Sequence, residues 1–255
     1  MLVPLDGSEF AAKAVPVATA IMRRSHGGLV LVTTHWDGDV VGPREYLDDV
    51  SAAIPDVEVE TIVVHDRHAA EAIEVLAADD SGRTVCMTSH GRGRLRWAVL
   101  GSVAEEVVRN TPRPILLLGR HCATDWPTES RRLLLCVDGD SDSPSVLSPA
   151  LEWARVLDLD VIVATVIHPL DRSAPDEVLA AIVARAEADG LRVFQDVVRS
   201  SYPAGALADL AAEHDISCVA MSSHARTGAA RLALGSVTTG VVGLAPCPVL
   251  VAKTP

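Results

Sequence analysis

The chain has 255 residues, enough for one large domain or two small ones. Apolar residues make up 49% of it but aromatics only 3%, so any core is built from aliphatic side chains and alanine. The formal charge of −12 divides evenly, with 12 basic against 18 acidic residues up to Asp125 and 10 against 16 beyond it, which leaves no basic arm for nucleic acid.

Taken in chain order, Met1–Leu5 predicts a strand. Glu9–Arg24 predicts a helix, with Pro16 marking a kink or an end. Leu29–His35 is a near-continuous apolar run of strand length, Arg44–Ala53 a short helix, and Val57–His65 a strand rich in β-branched residues. The next segment, Ala69–Asp80, places Ala69, Ala72, Ile73, Leu76 and Ala77 at helical spacing. A strand over Thr84–Thr88, a helix over Ser102–Asn110 and a strand over Pro114–Leu118 follow. Residues 119–132, "GRHCATDWPTESRR", are polar, contain a proline and show neither regular period.

Beyond that stretch the chain repeats itself. "LVPLDGSEFAAKAV" is echoed by "LLCVDGDSDSPSVL" 132 residues later. "MTSHGRGRLRWAVLGS" is echoed by "MSSHARTGAARLALGS" 134 residues later. Two domains are therefore expected, residues 1–122 and 130–255, each of ordinary domain size. Apolar strands alternating with helices predict an α/β fold in each, an open, doubly wound, mostly parallel five-stranded sheet flanked by helices. The last strands, "PRPILLLG" and "PCPVLVAK", are short and begin with prolines. Pairing those edges within one chain would relate the halves by a pseudo-twofold, and homodimerisation is left open.

In a doubly wound sheet, ligands bind beyond the carboxyl ends of the strands, where strand order reverses. If the first and fourth strands are neighbours, Asp6 faces the Thr88–Gly91 loop across that crevice. The amides near Gly91 and Gly101, with the Ser102 hydroxyl, could then cradle phosphates at a helix N-terminus. A plainer reading uses the same residues for architecture alone. Ser102 with Glu105 fits a capping box, Gly101 a turn before it, and Asp6 an Asx-turn or cap. "GRGRLR" lacks the third glycine of a dinucleotide fingerprint, and no P-loop pattern occurs.

Across nearly its whole length, as two copies, the chain resembles the universal stress protein family. "VPLDGSEFAAKAV", "TSHGRGRLRWAVLGSVAEEVVRNTPRPILLL" and their counterparts carry the resemblance. Nucleotide-binding members of that family carry G-x-x-G, nine residues, then G-[S/T]. Here Gly91, Gly101 and Ser102 match, while Thr88 stands at the first glycine. In the second half Gly235 and Ser236 match, but Ser222 and Ala225 replace both earlier glycines. The resemblance implies binding of ATP, with or without Mg2+. The first half would use Asp6, Gly7, Ser8, His35, Thr88, His90, Gly91, Gly93, Gly101, Ser102 and Val103. A weaker second site would use Asp138, His224, Gly235 and Ser236. A role in stress survival is implied as well.

Other candidates are weaker. "HDRH", His65 to His68, lacks further metal ligands nearby and reads as a solvated loop. "DGDSDS" from Asp138 departs from a calcium loop at Ser143 and Pro149. Arg92, Arg94 and Arg96 suit an anion or a solvated surface equally. Trp36 follows the second strand, close to where an adenine would lie. Trp97 and Trp126 read as packing residues. No nucleophile and base can be paired by spacing, and no carboxylate pair for magnesium accompanies a phosphate loop. An adenine-nucleotide-binding stress module is therefore favoured over an empty interaction scaffold and over a slow ATP-hydrolysing enzyme. No run of 18 apolar residues or secretory leader is seen, and an odd set of five cysteines has no C-x-x-C spacing. A cytoplasmic chain with reduced thiols is expected. Cys86, Cys136 and Cys218, inside apolar runs, are expected in the core.

Overall fold

The computed structural model describes residues 1–35, 41–78, 83–90, 100–126, 129–138, 144–171, 176–223 and 234–253. The chain divides into two compact units, Met1–Leu118 with Thr124–Trp126, and Gly119–Ala123 with Pro127–Pro255.

The first unit runs β1 (Leu2–Pro4), α1 (Glu9–Ala12), α2 (Ala14–Ser25), β2 (Leu29–His35), α3 (Val41–Ala52), β3 (Val59–His65), α4 (Ala69–Ala78), β4 (Val85–Thr88), α5 (Ser102–Asn110) and β5 (Ile115–Leu118). Its strands lie in the order β3-β2-β1-β4-β5, and every described pairing is parallel. The first and fourth strands are indeed neighbours, Leu2 against Val85. Strand order therefore reverses between β1 and β4. Helices on both faces account for the continuous apolar strands, since β4 and β5 are buried at every residue. Leu2, Val3, Leu31, Leu116 and Leu117 are wholly buried, each contributing about 1.5–3 kcal/mol of transfer free energy.

Two proline-bearing helices differ from their sequence boundaries for one reason. The helix expected over 9–24 breaks at Lys13, whose amide reaches Phe10 O at 3.1 Å, and restarts at Ala14. Pro16 then falls in the first turn of α2, where an absent N–H removes no helical bond. The short helix expected from Arg44 begins instead at Val41, ahead of Pro43, which likewise occupies a first turn. Helix α2 ends on His26 in the left-handed region (φ 55), with its amide on Met22 O.

The second unit repeats this plan as β6 (Arg132–Cys136), α6 (Pro144–Val156), β7 (Asp160–Ile167), α7 (Asp176–Ala188), β8 (Val193–Arg199), α8 (Pro203–Glu213), β9 (Cys218–Ser222), α9 (Ser236–Leu244) and β10 (Val249–Ala252). Its parallel order β8-β7-β6-β9-β10 matches the first, strand for strand. The likeness extends to single hydrogen bonds. Leu5 N–H donates to Val32 O at 2.8 Å and Val137 N–H to Ala164 O at 2.9 Å; Ser89 N–H donates to Leu118 O and Ser223 N–H to Ala252 O, both at 2.8 Å.

Cys86, Cys136 and Cys218 are buried as expected, and Trp126 is packed, 4% exposed beneath the Arg24 guanidinium. Among the described residues no helix is long and apolar enough to cross a membrane.

Candidate functional site

Strand order reverses between β1 and β4, and a doubly wound sheet binds ligands beyond the carboxyl ends at such a point, which here are followed or formed by Leu5–Ser8, His35, Thr88–His90 and, through the tie to Ser89, the start of α5. On the β1 side, Gly7 takes φ 78, a conformation that favours glycine. This turn lets Asp6 fold back on its own chain. Its Oδ1 accepts the Ser8 amide at 3.0 Å and the Ser8 hydroxyl at 2.6 Å, an Asx-turn. Ser8 Oγ in turn accepts the Ala11 amide at 3.1 Å and caps α1. Asp6 is half-buried. The three residues thus shape the passage from strand to helix, with the Asp6 carboxylate just past the end of β1.

On the β4 side, Ser89 directs the loop. Its carbonyl accepts the Gly101 amide at 2.7 Å, so the chain leaves β4 and returns to the same point to begin α5. Ser223 and Gly235 do the same at 2.6 Å in the second unit. The amides of Ser102, Val103 and Ala104 precede the first helical bond, Glu105 N–H to Gly101 O at 2.9 Å, and so have no intrahelical acceptor. They add partial positive charge beside the crevice.

The capping box does not form. Gly101 is the N-cap, which shifts Ser102 to the first helical position and Glu105 beyond reach of the cap. Glu105 instead accepts from Arg109, one turn onward. The Ser102 side chain is left exposed at the helix start, as is Ser236 in the second unit, while Val103 is half-buried. Gly101 (φ −75) and Gly235 (φ −65) both sit in extended backbone, so torsion does not demand glycine at either.

Thr88, where the family pattern has its first glycine, is 4% exposed and donates its hydroxyl to His90 O at 2.5 Å. His90 is itself 7% exposed, with Nδ1 3.0 Å from Ser89 Oγ and its ring edge-on to Phe10. His35 ends β2 half-buried, in register with the exposed His65 of β3. In the second unit Asp138 is exposed just past β6. Gly91, Gly93, His224 and Ala225 lie outside the described residues, as do Trp36, Trp97, the three arginines 92, 94 and 96, and residues 139–143 of the calcium-like stretch.

The "HDRH" segment is solvated. His65, Asp66 and His68 are exposed, His68 lies 3.8 Å from Glu106, and Asp66 turns the chain at φ 52. Among the described residues no group of three or more His, Cys, Asp or Glu could hold a metal ion.

Sequence reasoning passed over Ser89, Ser223, Phe10 and Thr238. The repeat itself signalled the two serines, which recur in "TSH" and "SSH". Nothing in the spacing signalled Phe10, whose partner is 80 residues away. Thr238 Oγ1 donates to Ser222 O at 2.9 Å, tying α9 to the end of β9; Ala104 holds the matching position in the first unit.

A parallel sheet with its crevice at the reversal point, a loop closed onto a helix start, and this arrangement present twice define the class of protein. The model of the universal stress protein family matches residues 42–119 and 129–253, and the chain belongs to that family. It is 34% identical over 77 residues to a universal stress protein of Methanocaldococcus jannaschii; the match takes in 30% of this chain and 44% of that one, under half the relative's length. A solved universal stress protein of Archaeoglobus fulgidus overlays 100% of this chain and 96% of its own at TM-score 0.71 and 18% identity. A functionally unknown protein of Pseudomonas aeruginosa overlays 99% and 92% at 0.68 and 16%. At these identities the likeness to the solved structures is one of fold.

Proposed function

We propose that the first unit binds an adenine nucleotide, ATP being the expected ligand, as part of a stress-response role. The observation that carries this reading is the closure of the β4–α5 loop by the Ser89–Gly101 bond, which starts α5, with its amides and the exposed Ser102 hydroxyl, at the carboxyl end of β4, the strand paired with β1 whose end carries Asp6. Phosphates would lie over that helix start, whose dipole and amides favour anions. Ser102, Val103 and Gly101 would hold them together with Gly91 and Gly93, and Mg2+ would neutralise their remaining charge. Asp6 would accept from the adenine amine or the ribose, with Gly7, Ser8, His35, Thr88 and His90 shaping the wall. The second unit is the weaker binder, with Asp138, His224, Gly235 and Ser236 in the matching places. Pairing of the two units through β5 and β10, homodimerisation and a cytoplasmic setting belong to the same proposal.

One observation favours the scaffold reading instead. Asp6, Gly7 and Ser8 already satisfy one another as a turn and cap, so their presence does not require a ligand. Calorimetric titration of nucleotide-stripped protein with ATP, with and without Mg2+, separates the two. Cyclic AMP and dAMP are included because other universal stress proteins have been solved with each. Saturation at one ATP per chain, abolished by Gly91→Val, supports the proposal. Two per chain removes the ranking of the units, and no heat at millimolar ATP leaves the scaffold. Release of inorganic phosphate in the same samples tests hydrolysis.

A further inference from the structure

Of the five cysteines, Cys122, Cys136, Cys218 and Cys247 belong to the second unit, and every one of them is a free, buried thiol. Three of the four gather near the start of β9 and β10. Cys122 lies on the segment Gly119–Ala123, which is held closely against the rest of its unit. The Ala123 amide donates to Pro246 O at 2.9 Å. At the other end of the segment, a Cβ on Gly119 would collide with the Val242 carbonyl oxygen.

The Ala123–Pro246 bond joins the residue after Cys122 to the residue before Cys247, so the two cysteines flank one backbone hydrogen bond. Were the two segments to run as an antiparallel pair about that bond, the facing residues 122 and 247 would have Cα atoms about 4.5–5.5 Å apart. A disulfide bridges about 4.4–6.8 Å. Cys218 adjoins the same place, since the Val219 amide donates to Pro248 O at 3.0 Å. The thiols are close enough to weigh on one another's ionisation: burial raises Cys247 well above the ordinary thiol range, and Cys218 and Cys122 add to it. A metal reading lacks a ligand set among the described residues.

We propose that Cys122 and Cys247 form an intramolecular disulfide when the chain meets a low-molecular-weight disulfide oxidant. Cys122 is 8% exposed and Cys247 4%, so Cys122 is the point of entry. Its thiol loses a proton to solvent, and the thiolate attacks one sulfur of oxidised glutathione, expelling one glutathione thiolate. The Cys247 thiolate then attacks the Cys122 sulfur of the mixed disulfide and expels the second. Two protein thiols are oxidised and one glutathione disulfide is reduced to two thiols. Burial makes both steps slow at neutral pH and faster in mild alkali. The product ties the Gly119–Ala123 segment covalently to the turn between α9 and β10.

The full chain is incubated with oxidised glutathione, blocked with a maleimide, and digested without reduction. The expected result is a loss of two of the five thiols and one linked peptide pair carrying Cys122 and Cys247. Cys122→Ser and Cys247→Ser, each checked for folding by circular dichroism, should lose no thiol pair. If Cys247→Ser fails to fold, the more exposed Cys122→Ser decides alone. An unchanged thiol count in the wild-type chain, or a linked pair that omits either residue, overturns the proposal.

Discussion

Asp6 organises a turn and is proposed to bind the ligand, and two substitutions separate the two roles. Asp6→Ala removes both bonds to Oδ1, from the Ser8 amide at 3.0 Å and the Ser8 hydroxyl at 2.6 Å. Hydrogen bonds to a charged acceptor contribute roughly 1.5–3 kcal/mol each when sheltered, and less beside solvent. Asp6 is half-buried, so about 2 kcal/mol for the pair is a reasonable sum. At about 2–4 °C per kcal/mol for a chain of this length, the melting temperature should fall by about 4–8 °C. Asp6→Asn keeps an acceptor at Oδ1, preserves the Asx-turn and should lose under ~1 kcal/mol. Scanning fluorimetry reads both values. Calorimetry with ATP, at a temperature where both variants are folded, then reads binding. A tenfold weaker affinity for Asp6→Asn, about 1.4 kcal/mol, would place the negative charge itself on the ligand. An Asp6→Ala chain melting within a degree of wild type would refute the claim that this turn organises the β1–α1 passage.

Gly119→Ala should destabilise the second unit by roughly 2–3 kcal/mol. The added carbon meets backbone at Val242 rather than a side chain that could rotate away, and urea unfolding measures the loss. Alkali should unfold the chain through its buried thiols. Cys136 and Cys218 are each pushed up to about 12, chiefly by burial, from the ordinary thiol range. A thiol whose folded pKa is raised gives its full stability below pH 9 and loses it as the pH climbs towards 12, because the unfolded chain ionises first. Each thiol then costs up to about 1.4 kcal/mol per pH unit in that window. Cys218→Ala should show a shallower decline in urea midpoint between pH 9 and 11 than wild type, and parallel curves would contradict the assignment.

The fold was legible because its signals are local and repeated. Apolar runs of strand length gave β2, β4 and β5 to within a residue, and the echo of "LVPLDGS" and "TSH" announced the duplication before any strand was paired. Helix starts were less legible where proline intervened. Pro16 and Pro43 look like breaks in sequence, yet each belongs to the first turn of its helix. Cap frame was the least legible feature. Ser102 and Glu105 have capping-box spacing, but with Gly101 tied to Ser89 as the N-cap the helix starts one residue early for that box. This contact spans 12 positions and has no sequence period, so spacing alone could not reveal it.

The two units close their loops with the same backbone bond but secure the strand end with different hydroxyls. In the first, Thr88 reaches forward to His90 O, so the strand end is tied to its own loop. In the second, Thr238 reaches back from α9 to Ser222 O, so the strand end is tied to the helix. Ala104 stands where Thr238 makes the second bond and has no hydroxyl to make it, so that tie from helix to strand end is not repeated in the first unit. Thr238 is 4% exposed, so Thr238→Ala should cost about 1 kcal/mol and release the β9 end from α9. At that magnitude local opening becomes about fivefold more frequent, and hydrogen exchange at the Gly235 amide should quicken by that factor while the Gly101 amide is unchanged. Equal exchange at Gly235 in both proteins would mean that the Ser223 carbonyl alone holds the loop shut, and that the threonine on α9 is ornament to the closure rather than part of it.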